Sequence, residues 1–209
     1  MLRLRVERAR PLEDQLVPAV SAIQSGGVVA FPTDTFYGLA VDPRSSAAVR
    51  KIFELKERSD TRAIPLIAES ITQVADCVGT LTPLAERLAL QYWPGPLTLI
   101  ILASAELNAE LTAGTGRVAV RVPDHAVART IARLVGCAIT STSANVSGLP
   151  SSSTADEVAA TLGDRIDVLV DAGAAPGGLP STIVDVTAAA PVLVRPGAVH
   201  WERVLKFLG

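Results

Sequence analysis

The sequence predicts a single three-layer α/β domain spanning residues 1–209, in which a mixed, twisted β-sheet is flanked by helices. Three observations predict it. Hydrophobic residues make up 49% of the chain and aromatics only 4%, so Ala, Val, Leu and Ile must supply the core. That is the composition of buried strands under Ala-rich helices. Short apolar runs alternate irregularly with segments of helical period, which favours a mixed sheet over a regular parallel one. The length of 209 residues suits one large domain or at most two small ones, and no linker divides the chain.

The elements follow in order. Leu2, Leu4 and Val6 alternate with Arg3, Arg5 and Glu7 as a short half-exposed strand. Residues 12–25 carry Leu16, Val20 and Ile23 on one helical face and end at Gly26-Gly27, with Pro18 placing the helix start near itself. Val28 to Phe31 is a strand stopped by Pro32, and Phe36 to Val41 is its partner, so Pro32-Thr33-Asp34-Thr35 connects the two. Ser45 to Leu55 is a Ser-capped helix with Val49, Ile52 and Phe53 on one face. Ile64 to Ala68 is a strand, and Thr82-Pro83 opens a helix with a cap followed by Pro at its first position.

Beyond the rigid turn Trp93-Pro94-Gly95-Pro96, Leu97 to Leu102 and Arg117 to Val122 are strands. Ala126 to Val135 is a helix closed by Gly136, and Thr154 to Glu157 is a capping box starting a helix to Leu162. Val168 to Val170, Thr182 to Val186 and Val192 to Val194 are short strands, and His200 to Leu208 is a terminal amphipathic helix. The composition of Gly148 to Ser153 and Gly173 to Pro180 suits lids.

Composition also excludes function classes. The two cysteines, Cys77 and Cys137, have no C-x-x-C spacing, which argues against a disulfide scaffold or the usual zinc cluster. They read as small buried hydrophobes. Residues 1–10 lack the apolar core of a signal peptide, and no apolar run approaches the roughly 20 residues that span a bilayer, so a soluble, cytoplasmic protein is expected. A net charge of -2 gives no global reason to expect nucleic-acid binding.

Neither G-x-x-x-x-G-K-S/T nor G-x-G-x-x-G occurs, so neither a P-loop nor a Rossmann fingerprint is available. His125 and His200 flank helices far apart, no G-x-S-x-G elbow is present, and both read as surface or capping residues. Other features gather hydroxyls and cations at the ends of apolar strands. In Ile139 to Gly148 a buried-strand pattern runs into Thr140-Ser141-Thr142-Ser143 and then Asn145. This run suits either an ordinary polar loop or an uncharged grip on phosphate, ribose or carboxylate. Lys56-Glu57-Arg58, with Arg62 four residues on, suits either helix termination or a polyphosphate clamp. Arg121 ends an otherwise apolar strand and would hold a carboxylate if its face lines a cleft, Arg195 repeats the pattern, and Ser181-Thr182 put hydroxyls at a strand entry. Together they describe a site for a small, anion-rich substrate.

Pro32-Thr33-Asp34-Thr35-Phe36-Tyr37-Gly38-Leu39, Lys56-x-Arg58, Ser143-x-Asn145, Pro180-Ser181-Thr182-Ile183-Val184-Asp185 and Val194-Arg195-Pro196-Gly197 occur in that order. This closely resembles the YrdC/Sua5 family, the L-threonylcarbamoyladenylate synthases of the tRNA t6A pathway, from about Gly26 to Gly197. The resemblance implies a YrdC-like fold with a concave substrate cleft. It also implies a reaction of L-threonine, bicarbonate or CO2, and ATP to threonylcarbamoyl-AMP and pyrophosphate, with Mg2+ on the leaving group. Such chemistry needs positioning and charge neutralisation more than a protein nucleophile.

Carried over by motif, Lys56, Arg58, Ser143 and Asn145 are the signature catalytic residues. Lys56, Arg58 and Arg62 go to the triphosphate. Ser143, Asn145 and Arg195 surround the nucleotide, with Ser151 as a further ATP-binding candidate. Thr35, Arg121, Ser141 and Ser181 hold threonine, Arg121 on its carboxylate, and Thr33 shapes that pocket; no metal ligand is implied. The resemblance implies the threonylcarbamoyl-transferase complex as acceptor of the product.

Glu57 and Ser59 depart from the Gly and Pro frequent in relatives, and Glu57 must point away from its cationic neighbours or pair with one. Ending at Gly209, the chain resembles the short, single-domain form. Two other readings stand beside this one: a double-stranded RNA or tRNA-binding module, which the acidic pI of about 5.7 disfavours, and a related carbamoyl-transfer enzyme.

Overall fold

The computed structural model describes residues 1–57 and 63–209. Along the chain it forms β1 (Leu2–Arg5), α1 (Leu12–Gln24), β2 (Val29–Pro32), β3 (Tyr37–Ala40), α2 (Ser46–Leu55) and β4 (Leu66–Ile67). Then come α3 (Ile71–Cys77), α4 (Pro83–Tyr92), β5 (Leu97–Leu102), α5 (Ala109–Thr112), β6 (Arg117–Arg121), α6 (Ala126–Val135), β7 (Ile139–Thr140) and β8 (Thr142–Ser143). It closes with α7 (Ala155–Leu162), β9 (Val168–Asp171), β10 (Thr182–Asp185), β11 (Val192–Arg195) and α8 (Trp201–Leu208).

The mixed α/β class stands, and the strands divide between two sheets where the sequence alone implies one. One sheet has the order β1-β9-β2-β3-β8 and the other β11-β10-β5-β6-β4-β7. The division is made by the hydroxyl run. β7 pairs antiparallel with β4, whereas β8 pairs antiparallel with β3, so the chain crosses from one sheet to the other at Ser141.

Burial explains the continuous apolar strands. In β2, Val29 and Phe31 pack with Leu16, Ile23 and Ile131 of α1 and α6. Ala30 turns the other way and joins Tyr37, Leu39, Leu66, Leu99 and Val120 in the core that both sheets share. A strand buried on both faces has no polar alternation to display.

The expected caps form. Ser45 Oγ accepts from the Ala48 N–H, Thr82 Oγ1 from the Ala85 N–H, and Thr154 with Glu157 completes a reciprocal capping box. Helix α1 runs unbroken through Pro18, which lies exposed. The helices α3 and α5 lack a sequence signal because each is short and buries few side chains, Val74 alone in α3.

Thr140 stitches the two sheets together. Fully buried, its Oγ1 accepts from the Val41 N–H at 2.9 Å and donates to the Leu39 carbonyl at 3.2 Å. Thr140→Val keeps the shape and strands that N–H, so a loss of about 1–3 kcal/mol is expected in urea denaturation. Thr142→Val, at a half-buried neighbour, should stay within about 0.5 kcal/mol. Equal losses would refute the stitch.

Candidate active site

Helix α2 delivers Lys56 as its C-terminal cap residue, and the ammonium is sunk into the protein at 2% exposure. Its Nζ donates to the Ser143 carbonyl at 2.7 Å, to Ser143 Oγ at 3.1 Å and to Asn145 Oδ1 at 2.8 Å. Ser143 Oγ donates in turn to Asn145 Oδ1 at 2.5 Å, and Asn145 Nδ2 donates to the Leu149 carbonyl. A motif written across 89 residues is therefore one hydrogen-bonded knot. Glu57 resolves its conflict by turning out to Arg165, 3.1 Å away on the exposed surface.

A second knot surrounds Arg121 at the end of β6. The hairpin joining β2 to β3 is tied by Thr33, whose Oγ1 donates to the Phe36 carbonyl at 2.7 Å and accepts from the Thr35 N–H at 3.1 Å. This presents Thr33, Asp34 and Thr35 together to Arg121. Nη1 donates to Asp34 Oδ1 at 2.7 Å, and Nη2 donates to Thr33 Oγ1 and Thr35 Oγ1 at 3.1 and 3.2 Å. Burial pulls the guanidinium pKa down, opposed by the Asp34 carboxylate, and an arginine remains charged through such a shift.

The third group brings Ser181 and Arg195 together. Arg195 donates from Nε and Nη2 to the Ser181 carbonyl at 3.2 and 2.7 Å, and from Nη2 to Ser181 Oγ at 3.1 Å. Thr98 Oγ1 donates to the same Ser181 Oγ at 2.8 Å. Gly197 lets the two segments touch, since a Cβ there would come within 2.3 Å of the Pro180 carbonyl oxygen. Partial burial lowers the Arg195 pKa, and the positive charge of Arg121 lowers it further. Two guanidiniums that repel one another make a region ready for an anion.

The knots are linked through the crossing at Ser141. In register Arg121 stands beside Ile67 of β4, and Ile67 beside Ile139 of β7, two residues before Ser141. Ser141 is half-buried, its N–H donates to the Pro65 carbonyl at 2.8 Å, and its hydroxyl makes no hydrogen bond among the described residues. Gly38 leaves room for it, because a Cβ there would lie 3.1 Å from Ser141 Oγ. Along the same face as Arg121 runs a groove of about 490 Å³ lined by Ala63, Ile100, Thr115, Arg117, Ala119, Asp185 and Val194.

Both proposed lids are tied at the site. The Tyr37 N–H donates to the Ser152 carbonyl, Ser152 Oγ donates to the Ala144 carbonyl, and the Gly177 N–H donates to the Thr35 carbonyl. Tyr37 OH donates to the Gly173 carbonyl at 2.7 Å, and its phenol pKa is pushed up to about 12, chiefly by burial. Ser151 lies half-buried in the first of these loops.

The structure thus gathers Lys56 with Ser143 and Asn145, Arg121 with Thr33 and Thr35, and Arg195 with Ser181. Arg58 and Arg62 lie outside the described residues. Sequence reasoning gave no role to Asp34 or Thr98, although an acid between two threonines in a four-residue turn is a signal for the first. Of the two histidines, His200 lies on the surface as expected, whereas His125 is half-buried; neither side chain caps its helix. Cys137 is buried and its thiol pKa is pushed up to about 11, mainly by burial, in keeping with a small core residue.

The Sua5/YciO/YrdC family model, described as telomere recombination, matches residues 21–197. The chain is 39% identical over 199 residues to the threonylcarbamoyl-AMP synthase of Bacillus subtilis, covering 94% of this chain and 57% of that one. It is 39% identical over 163 residues to the enzyme of the same name from Thiobacillus denitrificans, covering 78% and 86%. A crystal structure of Pyrococcus abyssi Sua5 complexed with L-threonine superposes with a TM-score of 0.92 at 36% identity, covering 100% of this chain and 60% of that one. The chain therefore spans about three-fifths of the Bacillus and Pyrococcus proteins.

Proposed function

The chain belongs to the Sua5/YciO/YrdC family, and from that premise we propose that it is a threonylcarbamoyl-AMP synthase. It joins L-threonine, bicarbonate or CO2, and ATP into threonylcarbamoyl-AMP and pyrophosphate, for the t6A modification of tRNA. The observation that carries the reading is the pair of buried cations at the seam between the sheets, Lys56 among the hydroxyl, carbonyl and amide oxygens of Ser143 and Asn145, and Arg121 among two threonine hydroxyls and the Asp34 carboxylate. One cation is in place for the nucleotide and the other for an amino-acid carboxylate.

In this reading the threonine amine captures CO2 as a carbamate, a carbamate oxygen attacks the α-phosphorus of ATP, and pyrophosphate leaves. The protein binds and aligns. Arg121 meets the threonine carboxylate with N–H groups not used on Asp34, Thr33 and Thr35, while Thr35, Ser141 and Ser181 bracket the rest of the amino acid. Lys56, Ser143 and Asn145 sit against the nucleotide, joined by Arg58 and Arg62 at the triphosphate. Ser151 approaches the nucleotide from its loop. Arg195, bonded to Ser181 and repelled by Arg121, serves the nucleotide in this reading.

Fixed donors of this kind act on charge as it develops, without reorganising. Magnesium is expected on the pyrophosphate. Among the described residues no three His, Cys, Asp or Glu side chains are grouped to hold a metal, so it would come on the nucleotide's own phosphates.

Residues 1–209 act as one domain here, and the product passes to the threonylcarbamoyl-transferase complex in the cytoplasm. No described helix is long and apolar enough to cross a membrane. The test is pyrophosphate release from ATP: it should require both L-threonine and bicarbonate, and release indifferent to threonine would overturn the assignment.

A further inference from the structure

Beside Arg121 two buried polar atoms have no hydrogen-bond partner among the described residues. They are Asp34 Oδ2 and His125 Nδ1; the other such atom among the described residues, Glu110 Oε2, belongs to α5. The Asp34 side chain is only 10% exposed, and its Oδ1 is already engaged by Arg121. A buried carboxylate oxygen and a buried ring nitrogen each lose water with nothing in return, and native proteins rarely tolerate that.

The two side chains belong to one neighbourhood. Asp34 acts electrostatically on His125, as do Asp124 from the same turn and Arg121 from β6. His125 lies four residues beyond Arg121, where β6 hands over to α6, and its ring leaves the helix N-terminus uncapped. Burial lowers the imidazole pKa against the pull of Asp34 and Asp124, which favours the neutral ring with its single N–H. Which nitrogen holds that proton is set by the acceptor within reach. The last torsion of Asp and of His is broad, so each side chain can turn its polar atom toward the other at little rotameric cost.

We propose that His125 carries its proton on Nδ1 and donates it to Asp34 Oδ2, as a positioning residue that fixes Asp34 and, through it, Arg121. Both oxygens of the carboxylate are then held, one by the imidazole and one by the guanidinium. The guanidinium in turn is fixed in the plane that an incoming carboxylate must meet. His125 touches no substrate in this arrangement; it sharpens the grip of Arg121. The substrate part of the inference rests on the synthase reading, whereas the proton's position does not.

Two measurements test it. Nitrogen-15 NMR of the imidazole should show the Nδ1-protonated neutral form at pH 7, with Nε2 bare; the Nε2-protonated form would overturn the proposal. Calorimetric titration with L-threonine should show about tenfold weaker binding for His125→Leu, the loss expected for one hydrogen bond, while ATP binding changes less than about twofold. His125→Asn places an amide N–H where Nδ1 stood and should recover most of the loss. Threonine binding unchanged in His125→Leu, or unrecovered in His125→Asn, would defeat it. Wild-type protein that binds no threonine would defeat the synthase reading instead, and the NMR result would still decide where the proton sits.

Discussion

Lys56→Met is expected to lower the rate of threonine-dependent pyrophosphate release by about 10²–10³, the usual consequence of deleting one preorganised cationic donor. The side chain has similar reach, so the loss is chemical rather than steric. Among its partners, the Ser143 carbonyl, Ser143 Oγ and Asn145 Oδ1 hold the ammonium in place. Its influence on a bound nucleotide is therefore twofold: a fixed positive charge, and an orientation imposed on Ser143 Oγ and Asn145. Removing it takes one charge-assisted donor each from Asn145 Oδ1 and the Ser143 carbonyl, which keep only Ser143 Oγ and the Asn145 N–H, at a cost of about 1.5–3 kcal/mol per bond. The variant should thus also unfold at lower urea concentration. The two effects separate by measuring rate well below the new unfolding midpoint. A variant that is less stable yet turns over normally would reduce Lys56 to a structural pin.

How far such a site can be read from sequence depends on what kind of contact builds it. Local devices were legible: the Ser45 and Thr82 caps and the Thr154–Glu157 box each form from residues within a few positions of one another. The signature residues Lys56, Ser143 and Asn145 were legible through family resemblance, and the structure brings them together. What the Arg121 face meets is not legible, because alternation tells which residues share a face and not what that face meets. The division into two sheets was not legible either. It turns on one residue, Ser141, where a pattern that looks like a strand running into a loop changes partners. Asp34 escaped for a related reason. Its partner lies 87 residues away, so the acid in the Thr-Asp-Thr turn signals a role without naming the buried guanidinium it meets.

That ion pair carries the largest expected effect on stability. Asp34→Ala leaves the Arg121 guanidinium, 8% exposed, without its counter-charge. Breaking a buried pair from one side costs about 3–5 kcal/mol, because the surviving charge has lost water and gained nothing. Arg121→Met removes the charge itself and fills similar space; it should cost less stability than Asp34→Ala, although Asp34 then depends on the hydroxyl-rich turn and His125. Function should rank the other way. Arg121→Met deletes the carboxylate donor and should weaken L-threonine at least about 30-fold, the lower end for a buried charge pair. In Asp34→Ala the donor survives but is no longer aimed, so binding should fall less. Combining the two substitutions should be milder than the sum of the single losses, since neither charge remains to be stranded. Urea denaturation and calorimetric threonine titration of the three variants decide the matter. If Arg121→Met destabilises more than Asp34→Ala while threonine binding persists, the guanidinium is a strut for the hairpin and its role as a substrate anchor is refuted.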